Sequence, residues 1–228
     1  MAMSMAEVQK SELPASERLK ITEIFLSLQG EATTAGWPTV FVRLTGCPLR
    51  CVYCDTAYAF HGGQWMSFDE ILARVSQHGV SHVCVTGGEP LAQRNCPSLI
   101  TRLCDAGHQV SVETSGAIDI SGLDLRAQRV LDLKTPASGE ESRNLWQNLE
   151  HLRADDVVKF VICDHQDYEW TRDVIRREQL DRRCSVFLSP SWGQQDAAEL
   201  GEWLLADRLP ARLQVQLHKV LWGEEPGR

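Results

Sequence analysis

Two rhythms of apolar residues run along the chain. Seven short segments are dense in Val, Ile, Leu and Phe: TVFVRL at 39 to 44, HVCVT at 82 to 86, QVSVE at 109 to 113, RVLDL at 129 to 133, VVKFVI at 157 to 162, SVFLS at 185 to 189 and LQVQL at 213 to 217. Such short β-branched runs predict strands. Between most of them lie windows in which apolar residues recur every third or fourth position, the period of a helix with one buried face. Ser67 and Glu70 form a capping box, with Ile71, Leu72 and Val75 on one face behind it. A second helix is expected to open near Pro97 and stop at Gly107, and further helical windows cover about 142 to 152, 166 to 178 and 195 to 206. Strands alternating with helices imply parallel pairing with the helices packed outside.

Separating odd from even positions adds a second message. Phe41, Arg43 and Thr45 share one face of their strand, as do Gln109, Ser111 and Glu113, and Gln214, Gln216 and His218; Asp132 and Lys159 stand inside otherwise apolar runs. One face of nearly every strand is therefore polar. A one-sided wet sheet would do this if it were antiparallel. Parallel sheets are normally covered on both faces, so the expectation is α/β: a partial barrel of about six to seven mostly parallel strands, helices outside, with a polar, ligand-holding interior. Buried charges need partners, so Arg43, Glu113, Asp132 and Lys159 would meet a ligand or one another. Loops at the carboxyl ends of the strands would form the active face. Residues 1 to 20 read as a mobile lead-in and 21 to 228 as one domain.

The bulk numbers narrow the function. With 228 residues and 43% hydrophobic content the chain can build one sizeable core. A net charge of -8 argues against a protein that grips nucleic acid or an anionic membrane. No apolar run approaches the ~18 residues of a membrane span, and the first residues lack the basic and apolar regions of a secretory signal. A cytoplasmic location is expected. Eight cysteines then suggest metal ligands and buried thiols rather than disulfides. Cys84, Cys96, Cys104, Cys163 and Cys184 read as small buried hydrophobes.

Cys47, Cys51 and Cys54 differ, being gathered in CPLRCVYCDT just after a strand. Structural zinc takes four ligands, and ordinary iron–sulfur cubes take a cysteine on every iron. Three thiolates leave one position free for a group that is not protein, unless His61 completes a Cys₃His zinc module. TGGEP, Thr86 to Pro90, ends a second strand beside them; its glycines alone would suit an ordinary turn.

The CxxxCxxC motif, with TGGEP, resembles the radical S-adenosylmethionine (SAM) superfamily. That resemblance implies a radical SAM fold and a 4Fe-4S cluster held by Cys47, Cys51 and Cys54. It implies a fourth iron chelated by SAM, whose cleavage starts hydrogen-atom abstraction from a substrate. Within the superfamily the chain is similar to the 7-carboxy-7-deazaguanine synthase family from about Ile21 to Lys219. The matching segments are SLQGEATTAGWPTVFVRLTGCPLRCVYCDT, ETSG at 113 to 116, KFVI at 159 to 162 and QLHK at 216 to 219. The family contracts 6-carboxy-5,6,7,8-tetrahydropterin to 7-carboxy-7-deazaguanine with loss of ammonia, on the path to queuosine and other deazapurines.

Carried residue by residue, the resemblance implies a substrate turn at Leu28, Gln29 and Gly30 with Glu31 beside it, further substrate contacts from Arg43, Thr86 and His218, and a magnesium ligand in Thr56. Cofactor contacts would come from Tyr53, Cys54, Asp55, Gly88, Glu113, Asp132, Leu133, Lys134, Ser189, Pro190, Ser191 and Trp192. It also implies a homodimer and a flavodoxin-like electron donor, with neither nucleic acid nor membrane as partner. Three departures stand out: Ala32 where the family often has glycine, DLK where it usually has Ser-Pro-Lys, and the extension VLWGEEPGR past Lys219. Two other readings use the same loop: an activating enzyme that makes a glycyl radical on a partner, and the non-enzymatic zinc module.

Overall fold

The computed structural model describes residues 17 to 225 and residue 227. Nine strands form one sheet: β1 Arg18–Leu28, β2 Pro38–Leu44, β3 Gln64–Ser67, β4 His82–Gly87, β5 Gln109–Thr114, β6 Gln128–Asp132, β7 Val157–Ile162, β8 Ser185–Pro190 and β9 Arg212–Leu213. Among the described residues five α-helices accompany them: α1 Phe68–Ser76, α2 Cys96–Asp105, α3 His165–Glu178, α4 Ala197–Asp207 and α5 Leu217–Trp222. The strand order is β3-β1-β2-β4-β5-β6-β7-β8-β9. From β2 through β9 every pairing is parallel, while β1 runs antiparallel to both β2 and β3. The α/β architecture of parallel strands with helices outside is thus present, extended at one edge by an antiparallel pair.

The apolar periodicity has a direct structural cause. Val40, Val42 and Leu44 of β2, Val83 and Val85 of β4, Val110 and Val112 of β5, and Val158, Phe160 and Ile162 of β7 all join the main core, where they meet the apolar stripes of the helices. In α1 that stripe is Phe68, Ile71 and Val75, all buried. Burying three such side chains stabilises by roughly 6 kcal/mol, against about 1 kcal/mol for the Ser67–Glu70 capping box, which is present as expected. Packing holds the helix, and the cap sets where it starts.

Four expectations need correction. The strand over 213 to 217 shrinks to Arg212–Leu213, and Leu217 already opens α5. Gln214 bonds Ala32 through both amide atoms and Gln216 bonds Glu31, so these side chains pin the segment across the sheet instead of extending a ladder. His218 is therefore helical. The helix over 142 to 152 is replaced by 3₁₀ turns at Glu141–Arg143 and Trp146–His151. Here the buried Asn148 side chain accepts from Ile120 N and donates to the carbonyls of Gly116 and Ile118, and that tertiary tie overrides the local period. Of the lead-in placed at 1 to 20, residues 1 to 16 lie outside the described residues, while Arg18–Lys20 belong to β1. Cys163 sits just past β7 and is only half-buried, unlike Cys84, Cys96, Cys104 and Cys184.

The opposite face of the sheet is polar and covered. Lys159 is 9% exposed there, far from a wet surface. Ala32, Val130, Val157 and Phe187 form a small apolar patch on this side. Ala32 adopts a left-handed backbone with φ of 60°, the conformation for which glycine is the usual residue. Its methyl, packed in that patch, offsets the strain.

Candidate functional site

The loops leaving the carboxyl ends of the parallel strands surround a cavity of about 350 Å³ above the polar face. Cys47, Cys51 and Cys54 all line it as free, partly exposed thiols. Their loop is held in shape by backbone capture: Arg50 Nη1 donates to the carbonyls of Cys47 and Leu49 at 2.8 and 2.6 Å, and its guanidinium lies over Phe60 at 4.3 Å. Leu49, 1% exposed, anchors the loop from below.

The two glycines of TGGEP are explained by contact with that loop. A Cβ on Gly88 would fall 2.5 Å from Gly46 O and 2.7 Å from the Cys47 Cβ, and one on Gly87 would fall 2.6 Å from Leu44 O. Only glycine lets the end of β4 touch the cysteine loop. Glu89 then fixes the turn: fully buried, it accepts from Leu91 N, Thr114 Oγ1, and both the amide and hydroxyl of Ser115.

The cysteines fit a cube better than a single ion. Among the described residues no three His, Cys, Asp or Glu side chains converge to hold one metal ion. His61, the fourth ligand of the zinc alternative, is exposed and is not part of the cavity wall. A cube takes one thiolate on each iron and so suits three spaced thiols. Burial pushes the Cys51 thiol up to about 11 and that of Cys47 upward too, so loading metal here releases protons. Two further wall atoms, Tyr53 Oη and Ser189 Oγ, are buried without a hydrogen-bond partner, a state native side chains rarely keep unless a ligand completes them.

On the substrate side of the expected assignments, Leu28, Gln29, Glu31, Arg43, Thr86 and His218 line the same cavity. Glu23 pairs with Arg43 Nε at 2.7 Å and accepts from Tyr58 Oη at 2.8 Å. It thereby orients the guanidinium fork from behind, leaving the terminal nitrogens for another carboxylate. Glu113 accepts from Thr86 Oγ1 at 3.1 Å and Gln29 Nε2 at 3.4 Å. The structure thus sets Glu113 among the residues expected on substrate, although the resemblance put it on the cofactor.

A chain of charges crosses the floor. Lys159 Nζ pairs with Glu31 and, at 3.4 Å, with Asp132, whose other oxygen lies 3.1 Å from Lys134 Nζ. Lys134 in turn lies 5.6 Å from the Tyr53 ring. Burial would lower Lys159 and raise Glu31, but their mutual attraction prevails: Lys159 is held well above the usual lysine value and Glu31 below the usual carboxylate range. Burial and the neighbouring Glu31 charge push Glu113 up.

Two expected residues do not line the cavity. Leu133 is fully buried in the main core and its amide donates to Lys159 O, so only its carbonyl is left for a ligand. Gly30 instead abuts His218: its carbonyl accepts from Leu217 N at 3.1 Å, and a Cβ on it would lie 2.1 Å from His218 Nδ1. Asp55 and Thr56 both line the wall, with Thr56 Oγ1 donating to Asp55 and Lys219 Nζ pairing with Asp55 at 2.7 Å. Pro190, Ser191 and Trp192 complete the wall beside Ser189. Sequence reasoning missed Glu23, Tyr58 and Lys219. Glu23 lies directly across from Arg43 in the β1–β2 register, a signal readable only once that pairing is known.

Comparison with known proteins agrees with this geometry. The family model of the Radical SAM superfamily matches residues 41–134. A 7-carboxy-7-deazaguanine synthase of Chlorobaculum tepidum is 41% identical over 211 residues, covering 91% of this chain and 96% of its own. One from Koribacter versatilis is 40% identical, covering 91% and 98%. The crystal structure of QueE from Escherichia coli superposes with a TM-score of 0.73 at 25% identity, covering 88% of this chain and 95% of that one.

Proposed function

Because the chain belongs to the 7-carboxy-7-deazaguanine synthase family of radical SAM enzymes, we propose that its cavity contracts 6-carboxy-5,6,7,8-tetrahydropterin to 7-carboxy-7-deazaguanine with release of ammonia. The observation that carries this reading is a single cavity with three unpaired thiols on one side and Arg43, Thr86, Glu113 and His218 on the other. Bound to Cys47, Cys51 and Cys54, a 4Fe-4S cluster with SAM supplies one-electron cleavage of a carbon–sulfur bond and, through it, hydrogen-atom abstraction from the substrate.

The chain's own residues then bind and position. Tyr53 Oη and Ser189 Oγ, buried and unsatisfied, supply polar contacts for SAM, with Asp55, Gly88, Asp132, Lys134 and the 190 to 192 segment around them. The Arg43 fork takes the pterin carboxylate in two parallel hydrogen bonds, while Gln29, Thr86 and His218 hold the ring. Ammonia leaves only from a protonated nitrogen, and Glu113, pushed up by burial and by Glu31, is the carboxyl best able to hold a proton beside it. Thr56 and Asp55 offer adjacent oxygens of the type a magnesium ion takes. A flavodoxin-like protein is the proposed electron donor and a homodimer the proposed assembly. Among the described residues no helix is long and apolar enough to cross a membrane.

The relatives named above carry the synthase name, so the activating-enzyme alternative is set aside. The test is anaerobic incubation of cluster-loaded protein with the tetrahydropterin, SAM and dithionite. Deazaguanine product supports the reading; cleavage of SAM with no such product overturns it.

A further inference from the structure

Lys159 stands on the polar face, on β7 between β6 and β8, and no role in the reaction has been given to it. Its ammonium joins two segments of the cavity floor directly. On one side it pairs with Glu31, 128 residues away in the substrate turn, whose second oxygen is held by Gln216 at 2.6 Å. On the other it pairs with Asp132, which passes the contact to Lys134 and so to the ring of Tyr53 in the cysteine loop. Two carboxylates and two ammoniums balance to zero, so a change at one end is felt at the other.

A purely structural purpose explains this poorly. Buried ion pairs are commonly no more stabilising than apolar side chains of similar size. The neighbouring positions on the same strand face are Val157 and Val161, so the sheet accepts apolar residues there. All four charged groups also line the cavity, where a fold-stabilising network has no need to be.

We propose that Lys159 is a positioning residue that couples the two halves of the cavity, making SAM and the tetrahydropterin bind more tightly together than either binds alone. The inference rests on the proposed function of the site. The sign follows from shared charge. A cationic group of the cofactor that engages Asp132 draws that carboxylate away from Lys159. The ammonium is then left to Glu31 alone, which fixes the substrate turn in its binding shape. Linkage makes the effect reciprocal.

The test is a binding measurement that needs no turnover. Cluster-loaded protein is titrated anaerobically, without reductant, with the tetrahydropterin in the absence and presence of saturating SAM, and with SAM in the absence and presence of the tetrahydropterin. Each affinity is expected to rise about tenfold when the other ligand is present, in the usual range of coupling between sites. In Lys159→Met the ratio falls to near one while both ligands still bind, and Lys159→Arg keeps most of it. Asp132→Asn breaks the chain at a second point and also brings the ratio near one, which keeps the test open should Lys159→Met fail to fold. A ratio near one in the unaltered protein, or an unchanged ratio in folded Lys159→Met and Asp132→Asn, overturns the inference while leaving the proposed function intact. Failure of the tetrahydropterin to bind under any condition overturns both.

Discussion

Replacing Gly30 by alanine tests how the substrate wall is built. The new Cβ would lie 2.1 Å from His218 Nδ1 and 3.1 Å from its Cγ and Cε1. Gly30 is not among the residues with positive φ, so alanine is allowed by the backbone and the effect is purely steric. Reaching an ordinary contact of 3.4 Å requires the ring to retreat by about 1.3 Å. That retreat is resisted, because α5 is tied by Leu217 N to Gly30 O, by Gln216 to Glu31 and by Lys219 to Asp55. Misplacing a positioning group by about 1 Å lowers rates by about 100-fold, equivalent to about 2.7 kcal/mol of transition-state stabilisation. The expected result is a fall of about that size in kcat/KM for the tetrahydropterin, with iron content and substrate-free SAM cleavage unchanged. Combining Gly30→Ala with His218→Ala should be no worse than His218→Ala alone, since the clash is then gone. A folded Gly30→Ala enzyme within about twofold of the original kcat/KM would refute the placement of His218 against the pterin.

Other expectations are simpler to state. Alanine at Cys47, Cys51 or Cys54 should reduce iron and sulfide after reconstitution to near zero while circular dichroism stays native, because Arg50 and Leu49 hold the loop independently of metal; retained cluster would count against the ligand assignment. Thr56→Ala should slow turnover and weaken its magnesium dependence, measured by titrating the ion, and an identical response would remove Thr56 from that role. Ala32→Gly should change unfolding free energy by no more than about 1 kcal/mol, since relief of about 1–2 kcal/mol of left-handed strain is opposed by the lost methyl packing and by glycine's greater chain entropy; a loss above about 2 kcal/mol in urea titration would contradict that balance. Burial lowers the His218 value below its usual 6.5. The unfolded chain therefore takes up the proton first, and stability should fall as pH drops below about 6.5. His218→Gln should flatten that part of the pH profile, and an unaltered profile would refute the assignment.

Where the sequence was legible, a single rule sufficed. Six of the parallel strands, β2 and β4 to β8, announced themselves because each fills both the helix-covered face and the polar one, and the period of two separates them without ambiguity. Arg43, Glu113, Asp132 and Lys159 stood out as charges inside apolar runs, and all four line the cavity. The cysteine loop was legible because its chemistry is local. What sequence hid was set by partners far along the chain. β3, four residues long, carries too little pattern to register. Residues 213 to 217 keep a strand's alternation, but their amides are spent on Ala32 and Glu31, more than 180 residues away. Leu133 looked like part of a cofactor loop, yet the pleat turns it into the core.

The strap at residues 214 to 219 also sets a schedule. Its ties to Ala32, Glu31 and Asp55 join segments up to 185 residues apart, so this wall cannot close until residues 214 to 219 have been made. At about 5–20 residues per second, the roughly 165 residues from Cys54 to Lys219 take on the order of 10–30 seconds to emerge. Throughout that interval the three thiols lack their far wall and stand open to oxygen. Whatever delivers iron meets one of two different targets: a naked loop on a ribosome-bound chain, or a finished vessel filled through its mouth.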